Sequence, residues 1–173
     1  MKNILRFFTG KTEKVVDKMR DKREEELNES MGRESIKITG GVKLTGRDKN
    51  GKVLFVKRQK NLITNAGFDL ICDVIGLDAQ PSDITHIAIG DGVAGDATKT
   101  ILTNETDRQA GTYAHTEGTK IFTFKATFTN VVAATEYGCF NDPTINAGDM
   151  LNIAGFSSIT VDSLEIEVTF TLS

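Results

Sequence analysis

The sequence predicts a mainly β protein: an antiparallel β-sandwich, jelly-roll-like, with one internal helix and an N-terminal helical arm. Three observations carry that expectation. From Leu164 the side chains alternate, with Leu164, Ile166, Val168, Phe170 and Leu172 on one face and Glu165, Glu167, Thr169 and Thr171 on the other. Phe122, Phe124, Ala126 and Phe128 alternate in the same way with Thr123, Lys125, Thr127 and Thr129. A period of two is the mark of a strand with one buried and one wet face. Two such strands imply an antiparallel sheet on an apolar layer, with a second sheet as the expected partner. Sixteen glycines against two prolines fit a turn-rich β fold.

The 173 residues support one domain and an appendage. Division is expected at 34/35, into a charged arm (1–34) and a β-sandwich domain (35–173). The arm carries nine basic and eight acidic residues, whereas the remainder carries twelve and sixteen, a net of −4. The overall charge of −3 argues against general nucleic-acid binding.

Within the arm, Ile4, Leu5, Phe7 and Phe8 form an apolar tip, and Val15, Val16 and Met19 continue the stripe. Thr12 is placed to cap the main helix. Beyond Met19 the segment is almost all charge, with opposite charges at four-residue spacing. Three readings stay open: a solvated helix beside the domain, an arm docking into another subunit, and a helix lying on a membrane. The docking arm is preferred, because so short a stripe cannot bury itself and an isolated helix of this length is marginal in water. Near-balanced charge disfavours the membrane. No apolar run approaches the ~20 residues of a membrane span, and the N-terminus lacks the apolar core of a secretory signal. Synthesis in a host cytoplasm without processing is expected.

Met31–Ser35 reads as a hinge. Ile36, Ile38, Val42 and Leu44 are expected inward on the first strand, with Gly40–Gly41 marking a bulge or the close approach of another backbone. Asp48-Lys49-Asn50-Gly51 is a hairpin turn with Gly51 in the left-handed position. The second strand, Lys52–Lys60, shares a basic patch with Arg47 and Lys49, and Phe55 is its sole aromatic. That composition does not suit stacking on single strands.

Thr64–Gly76 is the internal helix, capped by Thr64 or Asn65. Phe68, Ile71, Cys72 and Ile75 are expected on the core side and Asp69 and Asp73 in water. Gly76 ends it in the left-handed position. Cys72 and Cys139, the only cysteines, have apolar neighbours and are expected as buried free thiols. Ile84–Ile89 is a short strand carrying His86, expected to be a half-buried structural histidine.

Gly90-Asp91-Gly92-Val93-Ala94-Gly95-Asp96 is the one loop suggestive of ligand chemistry. Asp96 follows Gly95 where a phosphate loop needs Lys, and acidic groups repel phosphate. Calcium on Asp91 and Asp96 is the cation such oxygen donors would suit, against the plainer expectation of a flexible loop and no cofactor. Glu105 and Arg108 are expected to pair and pin the Thr-rich segment that follows. Tyr113 and His115 begin a strand, Val131–Ala134 is a link, and Asn141-Asp142-Pro143 is a turn. No serine or cysteine nucleophile has a histidine and an acid at credible positions, so no catalytic residue and no enzymatic activity are expected. Glu165 and Glu167 read as a solvated edge or an interface.

Asn61-Leu62-Ile63-Thr64-Asn65-Ala66-Gly67 opens a helix, Ile84–Gly92 follows, and Thr103-Asn104-Glu105 with Arg108 comes next. Later stand Glu136-Tyr137-Gly138-Cys139-Phe140, Asp149-Met150-Leu151, Phe156 and the alternating end. In order and spacing these motifs, across Val42–Leu172, resemble a group of structural proteins of tailed bacteriophages. The resemblance implies a β-rich virion component, tail- or fibre-associated, with no catalytic residues to carry over. Asp91, Asp96 and the long charged arm depart from that group's pattern.

The expected function is a virion structural protein of the tail, collar or baseplate, assembling through its β domain and its arm. A capsid decoration or head-fibre protein is the alternative within that class. A host-glycan-binding module using the loops at one end of the sandwich is the alternative from another class; it would depend on Tyr113 or Tyr137, and the absence of Trp disfavours it. Expected partners are its own copies and other phage structural proteins (tail, portal, collar or capsid), with no specific nucleic acid and no membrane.

Overall fold

The computed structural model describes residues 36–76 and 82–173. The arm residues Ile4, Leu5, Phe7, Phe8, Val15, Val16 and Met19, the hinge Met31–Ser35 and Pro81 lie outside that range. The described chain is mainly β, with eight strands and one helix. The strands are β1 (Ile38–Arg47), β2 (Val53–Lys60), β3 (Leu62–Ile63), β4 (His86–Gly90), β5 (Glu105–Ala110), β6 (Thr112–His115), β7 (Ile121–Phe140) and β8 (Met150–Leu172). The helix α1 spans Asn65–Gly76.

All eight strands belong to one antiparallel hydrogen-bonded sheet. Its spine is the pair β7–β8, which runs from Ile121 opposite Thr171 to Phe140 opposite Met150. Register shifts between Val131 and Ala134 and between Ala134 and Glu136 divide the spine into two halves. Asn130 and Ala133 there have φ of 53°, a left-handed conformation in which the strand bends without ending. The segment expected to link two strands is therefore a bend inside one. The closing strand begins at Met150, well before the expected Ser163.

Each half of the spine is flanked in the same manner. In one half the order is β2-β1-β8-β7-β6, and in the other it is β3-β8-β7-β4-β5. Asn61 joins β2 to β3 and Gly111 joins β5 to β6, so each outer strand crosses from one half to the other. The pattern is approximately two-fold: β8 exchanges with β7, β1 with β4, and β2–β3 with β5–β6.

One apolar cluster draws on both halves. Val42, Leu44, Phe124, Phe128, Ile166, Val168 and Phe170 come from one, and Ile87, Ile89, Cys139, Leu151 and Ala154 from the other. Alternation along Leu164–Phe170 matches burial residue by residue. Ala88, Leu102, Phe140, Met150 and Ile153 form a second, smaller cluster.

Several local expectations are corrected. Ile36 is exposed, and the inward set begins with the partly buried Ile38. Gly40 is approached by the Asn61 side chain, not by a backbone, and the β1–β8 register is unbroken there. The turn holds as expected: Gly51 has φ of 80°, and Asp48 Oδ1 accepts the N–H groups of Asn50 and Lys52, each at 2.9 Å.

Thr64 caps α1, accepting the Gly67 N–H at 2.9 Å. The buried side of α1 is Gly67 and Leu70, with Ile71 partly buried against the main cluster. Phe68, Cys72 and Ile75 are exposed, contrary to the expected core stripe. The cause is Gly67. A Cβ there would overlap the Leu151 carbonyl, so the helix presses its backbone on β8 at that point and the contact face follows Gly67. Gly76 is the last residue of α1 but does not take the expected left-handed φ. Cys72 and Cys139 are both free, but only Cys139 is buried.

Candidate functional site

The glycine loop leaves β4 at Gly90 and crosses the smaller cluster, which Leu102 and Ala94 help to form. Beneath it lies Glu136, a fully buried carboxylate on β7. Its Oε1 accepts the Asn104 N–H at 3.1 Å, while Oε2 has no partner among the described residues. A Cβ on Gly90 or Gly92 would crowd Glu136 Oε1 and the Asn104 backbone. The Thr135 hydroxyl donates to the Gly92 carbonyl, and the Thr103 hydroxyl donates to that of Val93 at 2.7 Å. These glycines thus serve close packing of the loop on β7.

Asp91 and Asp96 are each engaged locally. Asp91 accepts the Asn104 side-chain amide. Asp96 Oδ1 accepts the Thr98 hydroxyl at 2.6 Å and the Thr98 N–H at 2.9 Å, and these bonds hold the exposed Asp96 carboxyl below its ordinary range. Among the described residues no group of three or more His, Cys, Asp or Glu is arranged to hold a metal ion.

The Glu105–Arg108 pair forms as expected, and it is buried. Arg108 Nε donates to Glu105 Oε1 at 2.6 Å and Nη2 donates to Oε2 at 2.8 Å. Arg108 Nη1 also reaches the carbonyls of Asp142 (2.6 Å) and Ala147 (3.0 Å), and Glu105 Oε2 accepts the Asn146 N–H at 2.9 Å. The guanidinium lies 3.9 Å from the centre of the Phe140 ring. The pair therefore ties β5 to the loop 141–149. His86 is half-buried, with Nδ1 at 2.8 Å from the Thr85 hydroxyl.

A second buried polar group was not foreseen. The Tyr137 hydroxyl accepts a hydrogen bond from Asn152 Nδ2 at 3.0 Å. The Asn61 amide interacts with the same hydroxyl but closes no hydrogen bond of ordinary geometry. Burial pushes the Tyr137 hydroxyl and the Cys139 thiol well above their ordinary pKa values. The only sequence signal was an asparagine, Asn152, in an otherwise apolar run from Met150 to Ala154. Tyr137 is closed to any sugar ring by its burial, while Tyr113 is exposed and packs on Phe122 and Phe124.

Glu165 and Glu167 lie on a central strand, so the expected solvated edge is corrected. Lys43 Nζ lies 3.1 Å from Glu167 and Lys125 Nζ 2.8 Å from Glu165, a charge ladder across β1, β8 and β7. The main strand path ends at β2 and β5, while β3 and β6 are likewise bonded on one side only. On β2, Val53, Leu54 and Val56 are exposed beside Lys57, Arg58 and Lys60. On α1, Phe68, Val74 and Ile75 are exposed as well.

No known protein family, curated protein or solved structure matches this chain.

Proposed function

We propose that this protein is a structural subunit of a tailed-bacteriophage particle, made in the host cytoplasm and placed at the tail, collar or baseplate. Its task in this reading is assembly, not catalysis. The observation that carries the reading is uncovered apolar surface on the β domain. Val53, Leu54 and Val56 on an end strand and Phe68, Val74 and Ile75 on α1 face solvent in a single copy. The motif order across Val42–Leu172 supplies the phage context. The two halves of the sheet sharing one core support a sandwich of jelly-roll type, with its own copies and neighbouring phage proteins as partners. Residues 1–34 are the docking arm in this reading, their apolar tip finding burial in another subunit.

The test is quantitative mass spectrometry of purified particles separated into heads and tails. A small multiple of three or six copies in the tail fraction is the expected result. Hundreds of copies in the head fraction would make the chain a decoration protein, and absence from both would end the virion reading. Removing residues 1–30 should leave a folded domain that no longer enters particles, and normal entry would refute the arm.

A further inference from the structure

We propose that copies of this protein join edge to edge, with β2 of one copy adding to β5 of the next. The inference rests on the reading of the chain as a self-assembling subunit and names the surface by which it assembles. Among the described residues, β2 bonds only to β1 and β5 only to β4, so both end strands have an unpaired side. An open strand edge is a template for another chain, and soluble proteins usually shorten or disrupt it. β2 is eight residues long; the β1–β2 register skips Leu54, so its regular run is Phe55–Lys60. It exposes 43%, 54% and 44% of Val53, Leu54 and Val56, side chains suited to burial against a neighbouring strand.

Charge selects the partner. Lys52–Lys60 carries four basic residues and no acidic one. Two β2 strands laid together would oppose like charges, which is destabilising. The other end of the sheet is acidic. Across β5 and the adjoining loop 141–149, Glu105 and Arg108 neutralise each other in a buried pair, and the remaining charges are Asp107, Asp142 and Asp149. Asp107 stands in the middle of β5.

β2 and β5 lie at edges of different halves of the bent spine. Such a contact uses two different surfaces, so it propagates until rotation closes a ring.

The experiment is sedimentation of the full chain over a concentration series, with charge-reversed variants checked for folding by circular dichroism. One variant carries Lys57→Glu and Arg58→Glu, and the other Asp107→Lys and Gln109→Lys. The wild type should associate, less so at high salt. Each variant alone should associate about tenfold or more weakly, and an equimolar mixture of the two should recover association. A wild type that stays monomeric, a variant that associates like the wild type, or a mixture no better than its components would overturn the edge contact. Charge-insensitive association by a chain found in particles would refute this contact and leave the particle reading standing. Absence from particles alongside charge-sensitive association would do the reverse.

Discussion

Arg108 Nε lies 2.6 Å from Glu105 Oε1, and both side chains are almost wholly withdrawn from water. Three residues apart on one strand, they would not meet on a flat pleat, where only every second residue shares a face. The β4–β5 register shifts between Ile89 and Gly90, opposite Asp107 and Glu105, and this irregularity brings the two to one side. All charged atoms then find partners: the carboxylate also takes Asn146 N–H, and the guanidinium takes two carbonyls of the loop 141–149.

Removing one member leaves the other charged and buried. We predict that Arg108→Ala destabilises the domain by about 3–5 kcal/mol in urea unfolding. Arg108→Lys should recover little, because an ammonium cannot reproduce the two-pronged contact or the stacking on Phe140. The double change Glu105→Leu with Arg108→Met should be less harmful than Arg108→Ala; a larger loss would refute this account.

Gly67→Ala tests the helix seat. Alanine improves helix propensity by about 1 kcal/mol. The added methyl would meet the Leu151 carbonyl, which also accepts the Thr64 N–H at 3.1 Å and so has little freedom to retreat. Overlap should win, with a net loss of about 1–3 kcal/mol. A melting temperature at or above wild type would show that α1 does not rest on that carbonyl.

Leu102 anchors the glycine loop in the smaller cluster. Leu102→Ala should cost about 2–5 kcal/mol. It should also speed amide exchange across residues 91–104 more than in β1 or the end of β8. Uniform acceleration over the sheet would mean that the loop and the sheet open only together.

Cys139 makes stability fall in alkali. Burial raises its folded pKa above the ordinary 9.0, so the folded chain holds the thiol proton while the unfolded chain releases it. The contribution is complete below pH 9 and is lost progressively as pH rises past it. Tyr137, raised from 10.0, acts in the same direction about one pH unit higher. Urea unfolding at pH 8 and pH 10 should show a smaller decline for Cys139→Ala than for wild type. Equal declines would assign the alkaline loss to other groups.

Much of the fold was legible because alternation is a local record of burial. Leu164–Phe170 and Phe124–Phe128 sort their side chains as the sequence predicts. The Asp48–Gly51 turn, the Thr64 cap and the Glu105–Arg108 pair depend on groups at most four residues apart, so they too could be read. The α1 face was misread, because four apolar residues at helical spacing outweighed a single glycine. What seats the helix is the absence of a side chain, and that carries no hydropathy signal.

The sequence by itself determined the class, the strand-bearing segments and the turn chemistry, since backbone conformation and burial periodicity are written in neighbouring residues. Tertiary structure alone decided that Ile121–Phe140 is one bent strand, that Glu136 lies beneath the glycine loop, and that basic β2 and acidic β5 end the same sheet. Those facts depend on which distant strands share hydrogen bonds, and pairing between strands is settled by the packing of the whole core.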